Sequence, residues 1–104
     1  MAETKKETKM RNEYKLYKEV EFEGKKYSSL DLDFDSLTGS DLEEATIEVS
    51  QMGDANTMMF TESSKLYQAA ICARAAKVPV QLIRKLHPKD YTGVTIQAYA
   101  FLTN

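Results

Sequence analysis

The sequence predicts an α+β domain, an N-terminal β-hairpin followed by a compact bundle of three to four helices. Three observations predict it. Apolar and polar residues alternate from Tyr14 to Phe34 around a central glycine, the period of a half-buried strand pair. From Leu37 onward the apolar spacing changes to three and four, the helical period. Two prolines, Pro79 and Pro88, then break the chain into short pieces that must fold back on one another. At 104 residues the chain has room for one core and one domain.

Residues 1–12 have no apolar periodicity and are expected to form a disordered tail, which leaves 13–104 as a single domain. In the first arm of the hairpin Tyr14, Leu16, Val20 and Phe22 share one face, with Lys15, Glu19 and Glu21 on the other. Glu23-Gly24-Lys25 turns the chain, Gly24 supplying the positive φ of a tight connection. The second arm puts Leu30, Leu32 and Phe34 on one face and Asp31, Asp33 and Asp35 on the other. A lone hairpin is marginal in water, so helices must cover its apolar side.

Leu37-Thr38-Gly39-Ser40-Asp41-Leu42-Glu43-Glu44 reads as a helix start, with Ser40 as the cap and Glu43 completing a capping box. Leu42, Ala45, Val49 and Met52 form its inner stripe, and Gly53 ends it. Asn56 is the expected cap of a second helix to about Lys77, with Phe60, Ser63, Ser64, Tyr67, Ala70, Ile71 and Arg74 inside. Its alanine-rich half, from Ala69 to Ala76, allows another element to approach closely. Pro79 fits the first position of a short helix carrying Val80, Leu82, Ile83 and Leu86. The last helix runs from about Pro88 to Leu102, with Tyr91, Val94, Ala98, Phe101 and Leu102 on one side. Gly93 weakens it by about 1 kcal/mol relative to alanine.

Composition sets limits on function. The longest unbroken apolar run, Ala69 to Ala73, is far short of a membrane span, and the charged N-terminus does not read as a secretory signal. A single cysteine, Cys72, cannot form an internal disulfide, which fits a reducing cytosol. Charge is segregated along the chain. Residues 1–27 balance at +2, residues 28–64 at −9 with no Lys or Arg, and residues 65–104 at +5. Such a pattern fits internal compensation between the acidic middle and the basic C-terminal half. It also fits a bipolar surface that docks head-to-tail or holds a charged partner. Dispersed bases, a pI near 5.4 and the lack of any recognised motif argue against nucleic acid as a partner.

No constellation suggests chemistry, so no catalytic, metal-binding or cofactor-binding residue is expected. Asp31-x-Asp33-x-Asp35 begins like a calcium loop, but Ser36 and Leu42 stand where that loop needs glycine and glutamate. His87 lies near Asp90 without a nucleophile in a recognisable frame, and is better placed as a cap of the last helix. Asp90 suits the first turn of that helix, and Cys72 reads as core. Met52, Met58, Met59 and Phe60 are the candidate partner-binding residues. They form either a helix–helix corner of the core or an exposed, adaptable patch that accepts apolar segments of a client.

Several short pieces occur together in a fixed order: Glu23-Gly24-Lys25, Leu37-Thr38-Gly39-Ser40-Asp41-Leu42, Val78-Pro79, the step from Leu86 through Asp90 to Tyr91, and Phe101-Leu102. In that order and spacing, over roughly residues 14–102, the chain resembles the tail assembly chaperones of contractile-tailed phages and prophages of the P2-like and Mu-like kind. Valine at position 78, where many relatives carry glycine, departs from the pattern, as does the lysine-rich N-terminus. The resemblance implies a non-catalytic protein of the infected bacterial cytoplasm, absent from the mature virion. It implies binding to the tape measure protein, which is kept soluble until the tail tube protein polymerises around it. It also implies self-association as a homo-oligomer and, in many relatives, a frameshifted longer form, with no part for nucleic acid or membrane. The motif residues Gly24, Leu37, Thr38, Gly39, Asp41, Leu42, Pro79, Leu86, Asp90, Tyr91, Phe101 and Leu102 are expected to be mainly structural. The rival reading is a small adaptor or completion protein that stays in the tail.

Overall fold

The structure, a computed structural model, describes residues 12–52 and 64–103. The expected tail before Asn12, the stop at Gly53 and the cap at Asn56 lie outside the described residues, as do Phe60 and Ser63. Within them the chain forms an antiparallel hairpin of β1 (Glu13–Phe22) and β2 (Lys25–Asp31). A short 3-10 turn (Phe34–Ser36) follows, then α1 (Gly39–Met52), α2 (Lys65–Ala76), α3 (Val80–Arg84) and α4 (Pro88–Thr103). The predicted class, a hairpin followed by a small helical bundle, is the observed one.

Glu23 and Gly24 make the two-residue hairpin loop, with φ of 51° and 80°. Two successive left-handed residues are what the right-handed twist of paired strands demands. Near the turn Phe22 pairs with Lys25 and Val20 with Tyr27. At the open end Lys15 pairs with Ser29 and Tyr14 with Leu30. Between these two stretches Leu16 to Glu19 stand opposite Ser28 alone, so β1 bulges. The bulge resolves a conflict in the pattern. Strict alternation would turn Lys18 inward with Leu16 and Val20, whereas here Lys18 is exposed and Val20 buried. On β2, Tyr27 and Leu30 both pack on the core although they are an odd number of residues apart.

The second arm is shorter than expected. β2 ends at Asp31 rather than Phe34, because β1 supplies no partner beyond Glu13. Leu32 donates its N–H to Asn12 O at 2.8 Å, and Asp33 then turns toward Ala75 O of α2 at 3.3 Å. Leu32 and Phe34 are buried nonetheless, and Phe34 does so from the 3-10 turn.

α1 is capped by Thr38, two residues earlier than the expected Ser40. The Thr38 N–H donates to Asp41 Oδ2 at 2.8 Å, and the Thr38 hydroxyl accepts from the Asp41 N–H at 3.4 Å. This reciprocal pair is a capping box. It wins over Ser40–Glu43 because it places Leu37 just before the cap and Leu42 in the fourth helical position, and both pack against the core. Ala45 and Val49 are the fully buried part of the expected stripe.

α2 is the centre of the domain. It begins at Lys65, where Ser64 caps it by accepting the Tyr67 N–H at 3.3 Å, so Ser64 is the cap rather than an interior residue. Every residue from Tyr67 to Ala73 is buried. A helix buried on all sides needs small residues for close approach, and Ala69, Ala70, Ala73 and Ala75 provide it toward α1, α3 and α4. Lys77 closes the helix in the left-handed region, with Val78 N–H bonded to Ala73 O at 3.0 Å. Pro79 is the cap of α3 rather than its first helical residue, with φ −66° and ψ 148°.

α4 lies across α2 and β1. Gly93 is more than a weak point in this helix. The phenol oxygen of Tyr14 sits where a Cβ at position 93 would be, and such a Cβ would stand 2.9 Å from Tyr14 Cζ. Glycine is the seat of the Tyr14 ring. Gly93→Ala should therefore destabilise by about 1–3 kcal/mol through overpacking, against the direction of helix propensity. Urea unfolding of Gly93→Ala, Tyr14→Phe and the double variant checks this. The double variant should recover part of the loss, since the two sites are in contact.

Candidate functional site

The residues offered for partner binding do not assemble into a described patch. Met52, in the last turn of α1, is half-buried and packs against the core, which is the corner reading. Met58, Met59 and Phe60 lie outside the described residues. Large apolar side chains are instead exposed elsewhere: Tyr17 on the bulge, Ile47 on the outer face of α1, and Ile96, Tyr99 and Phe101 on α4.

Most of the motif residues have a place in the architecture. Gly24 forms the hairpin loop, Thr38 and Asp41 form the cap, and Leu37 and Leu42 flank it. Gly39 has open space around it, so its presence is not forced by crowding. Leu86 is buried and Leu102 half-buried. Tyr91 is half-buried and its hydroxyl donates to Lys65 O at 3.4 Å; burial pushes its phenol above the ordinary range. Phe101 is 42% exposed yet stacks on Phe34, ring centres 5.3 Å apart, which ties the end of α4 to the 3-10 turn.

Asp90 does more than its place in the first turn suggests. It is 1% exposed, and its two carboxylate oxygens accept the backbone N–H groups of Tyr17 at 2.8 Å and Lys18 at 3.1 Å. These donors lie in the β1 bulge, where the strand ladder is interrupted. The carboxylate therefore satisfies groups the ladder leaves over and fastens the hairpin to α4. Its charge and the burial of Tyr14, the larger effect, both raise the Tyr14 phenol. The signal in the sequence was Lys18, a charge in the inward phase of a strand.

Two side chains that could do chemistry, His87 and Ser64, are engaged in structural bonds. His87 Nδ1 accepts the Lys89 N–H at 3.1 Å, so the imidazole caps α4, and its ring lies 5.0 Å from that of Tyr17. Lys89 Nζ sits 4.4 Å from the centre of the Tyr17 ring on the same corner. Ser64 caps α2. Among the described residues no three His, Cys, Asp or Glu are grouped to hold a metal ion. Nor does any described helix have the length and apolarity to cross a membrane.

Cys72 is fully buried and its thiol donates to Val94 O at 3.1 Å. Burial pushes the thiol up to about 12. The unfolded chain gives up this proton near pH 9 while the native state keeps it, so the stabilisation is complete below 9 and is lost as pH rises from 9 toward about 12. Tyr14 and Tyr91, both raised, add to the alkaline loss. Unfolding midpoints measured across the alkaline range should fall from about pH 9 upward, and Cys72→Ala should flatten the fall.

Electrostatics divide the surface. Arg74, projecting from α2, meets three acids of α1: Glu44 at 3.0 Å, Asp41 at 3.7 Å and Glu48 at 4.0 Å. The expected compensation between acidic middle and basic C-terminal half is thus present at this one guanidinium. Asp41 is held below the usual carboxylate range, first by the Thr38 backbone N–H, then by its hydroxyl and by Arg74 and Lys77. A cleft of about 450 Å³ opens beside this group, lined among others by Leu37, Asp41, Arg74, Lys77 and Pro79. Elsewhere α1 is acidic with no base in it, whereas Arg84, Lys85 and Lys89 are exposed around the α3–α4 corner. Comparison with protein-family models, curated proteins and solved structures finds no match to this chain.

Proposed function

We propose that this protein is a non-catalytic tail assembly chaperone that binds a phage tape measure protein and keeps it soluble until the tail tube polymerises. The observation that carries the reading is the distribution of exposed apolar side chains. Tyr17, Ile47, Ile96, Tyr99 and Phe101 stand 42–67% exposed on three different elements of a small, well-packed scaffold. Dispersed contacts of this kind suit many modest grips along an elongated helical client, with avidity supplied by copy number. The ordered motif pieces from Glu23 to Leu102 support the same assignment by resemblance. The host cytoplasm is the place of action this reading requires.

Co-expression with the tape measure protein of the same genome tests it. The tape measure should move from the pellet to the soluble fraction when this chain is present. No change in its solubility would contradict the reading. Mass spectrometry of purified particles separates it from the adaptor reading, because a chaperone should be missing from finished tails and an adaptor retained.

A further inference from the structure

We infer that the lysine-rich segment before Asn12, residues 1–11, docks on a trough between α1 and α2 of its own chain. Two depressions make the trough. One, of about 450 Å³, is lined by Leu37, Pro79, Glu48 and Arg74 among others. The other, of about 310 Å³, takes in Glu48 and Arg74 again and carries on to Ile47 and Gln51. Sharing Glu48 and Arg74, the two join along the seam where α1 packs on α2.

The charges favour a cationic occupant. Asp41, Glu44 and Glu48 face Arg74, and Lys77 lines the trough as its second base. With both bases counted, the carboxylates remain in excess. Glu43, exposed one turn before Ile47, adds to that excess, and Asp31, Asp33 and Asp35 extend it back toward Asn12. No Lys or Arg occurs between Ser28 and Ser64. The segment itself carries Lys5, Lys6, Lys9 and Arg11 against Glu3 and Glu7. Lysine also brings an aliphatic stem, which can lie over Ile47, 57% exposed, while its ammonium meets Glu43.

The anchor is in the right place. The Asn12 carbonyl accepts the Leu32 N–H, and Asp33 donates to Ala75 O, the residue after Arg74 in α2. The 11 residues before Asn12 span at most about 36 Å when extended. The 14 residues of α1 span about 21 Å. Tethering holds the segment at an effective concentration of order mM beside the trough, which favours it over a separate basic partner. None of this depends on the chaperone reading.

The test is nuclear magnetic resonance on the full chain with a spin label on Ala2→Cys; Cys72 is fully buried, so the label goes to the new thiol. The amides of Glu43, Glu44, Ile47 and Glu48 should lose most of their peak height, and those of Ile96 and Tyr99 on α4 should keep theirs. Reducing the label should restore every peak and show that the fold is intact. Salt at about 1 M, where charges are screened within about 3 Å, should abolish the loss. So should replacing Lys5, Lys6, Lys9 and Arg11 together by Glu. Unmodified, isotope-labelled chain mixed with spin-labelled chain lacking the isotope should show no loss. Attenuation spread evenly over the surface, or unchanged by salt or by the charge reversal, would overturn the inference. Loss in the mixed sample equal to that within one chain would overturn it too, because the occupant would then be the segment of a second copy.

Discussion

Asp90→Ala is expected to lower the stability of the domain by about 2–4 kcal/mol, the cost of stranding two backbone donors that a charged acceptor had satisfied. At about 4–8 °C per kcal/mol for a domain of this size, the variant should melt many degrees below wild type. The loss has a location. Tyr17 and Lys18 donate to the carboxylate because β1 leaves the ladder between Lys15 and Val20, so no strand partner can take over. Without the acceptor, the bulge must open to water and the hairpin loses its tie to α4. Amide hydrogen exchange reads this directly. The Tyr17 and Lys18 amides should lose protection in Asp90→Ala well before those in the middle of α2. Asp90→Asn keeps one acceptor oxygen and sets an amide N–H₂ against the other donor, so its loss should be intermediate. Equal protection of both amides in wild type and Asp90→Ala would show that the carboxylate does not hold the bulge.

Ile71→Ala is expected to cost about 2–5 kcal/mol, among the largest single losses available in this chain. Ile71 is fully buried in α2, the helix against which α1, α3 and α4 all pack. Ala75, one turn on along the same face of the helix, is already small and cannot fill the space left behind. The cavity term therefore adds to the lost transfer energy. Ile96→Ala, at 53% exposure on α4, is the control and should stay within about 0.5 kcal/mol of wild type. Urea denaturation of the pair checks both. A similar cost at the two positions would mean that α2 is not the centre of the core.

The architecture was legible where local chemistry decides it. The alternation of Tyr14, Leu16, Val20 and Phe22, the Gly24 loop and the two proline breaks were sufficient to place a hairpin before a short-helix bundle. Where two local signals compete, tertiary packing chose between them. Thr38-x-x-Asp41 and Ser40-x-x-Glu43 are both capping boxes, and the first prevails because it sets Leu37 and Leu42 against the core. The end of β2 depended on where its partner strand begins, which no window around Phe34 contains. The roles of Asp90 and Gly93 were hidden for the same reason. Each is fixed by a contact with β1, more than seventy residues away. The methionine-rich stretch that suggested a binding patch yields one described residue, Met52, and it serves the core. The exposed apolar side chains are scattered over the hairpin, α1 and α4, and helical periodicity alone gives such scattered positions no mark.

Light scattering coupled to size-exclusion chromatography, on this chain co-purified with the tape measure protein of the same genome, tests the proposed role most directly. The account predicts a single soluble complex in which several copies of this chain accompany each tape measure molecule. A tape measure that elutes apart from this chain, or that aggregates whether or not the chain is present, would contradict it.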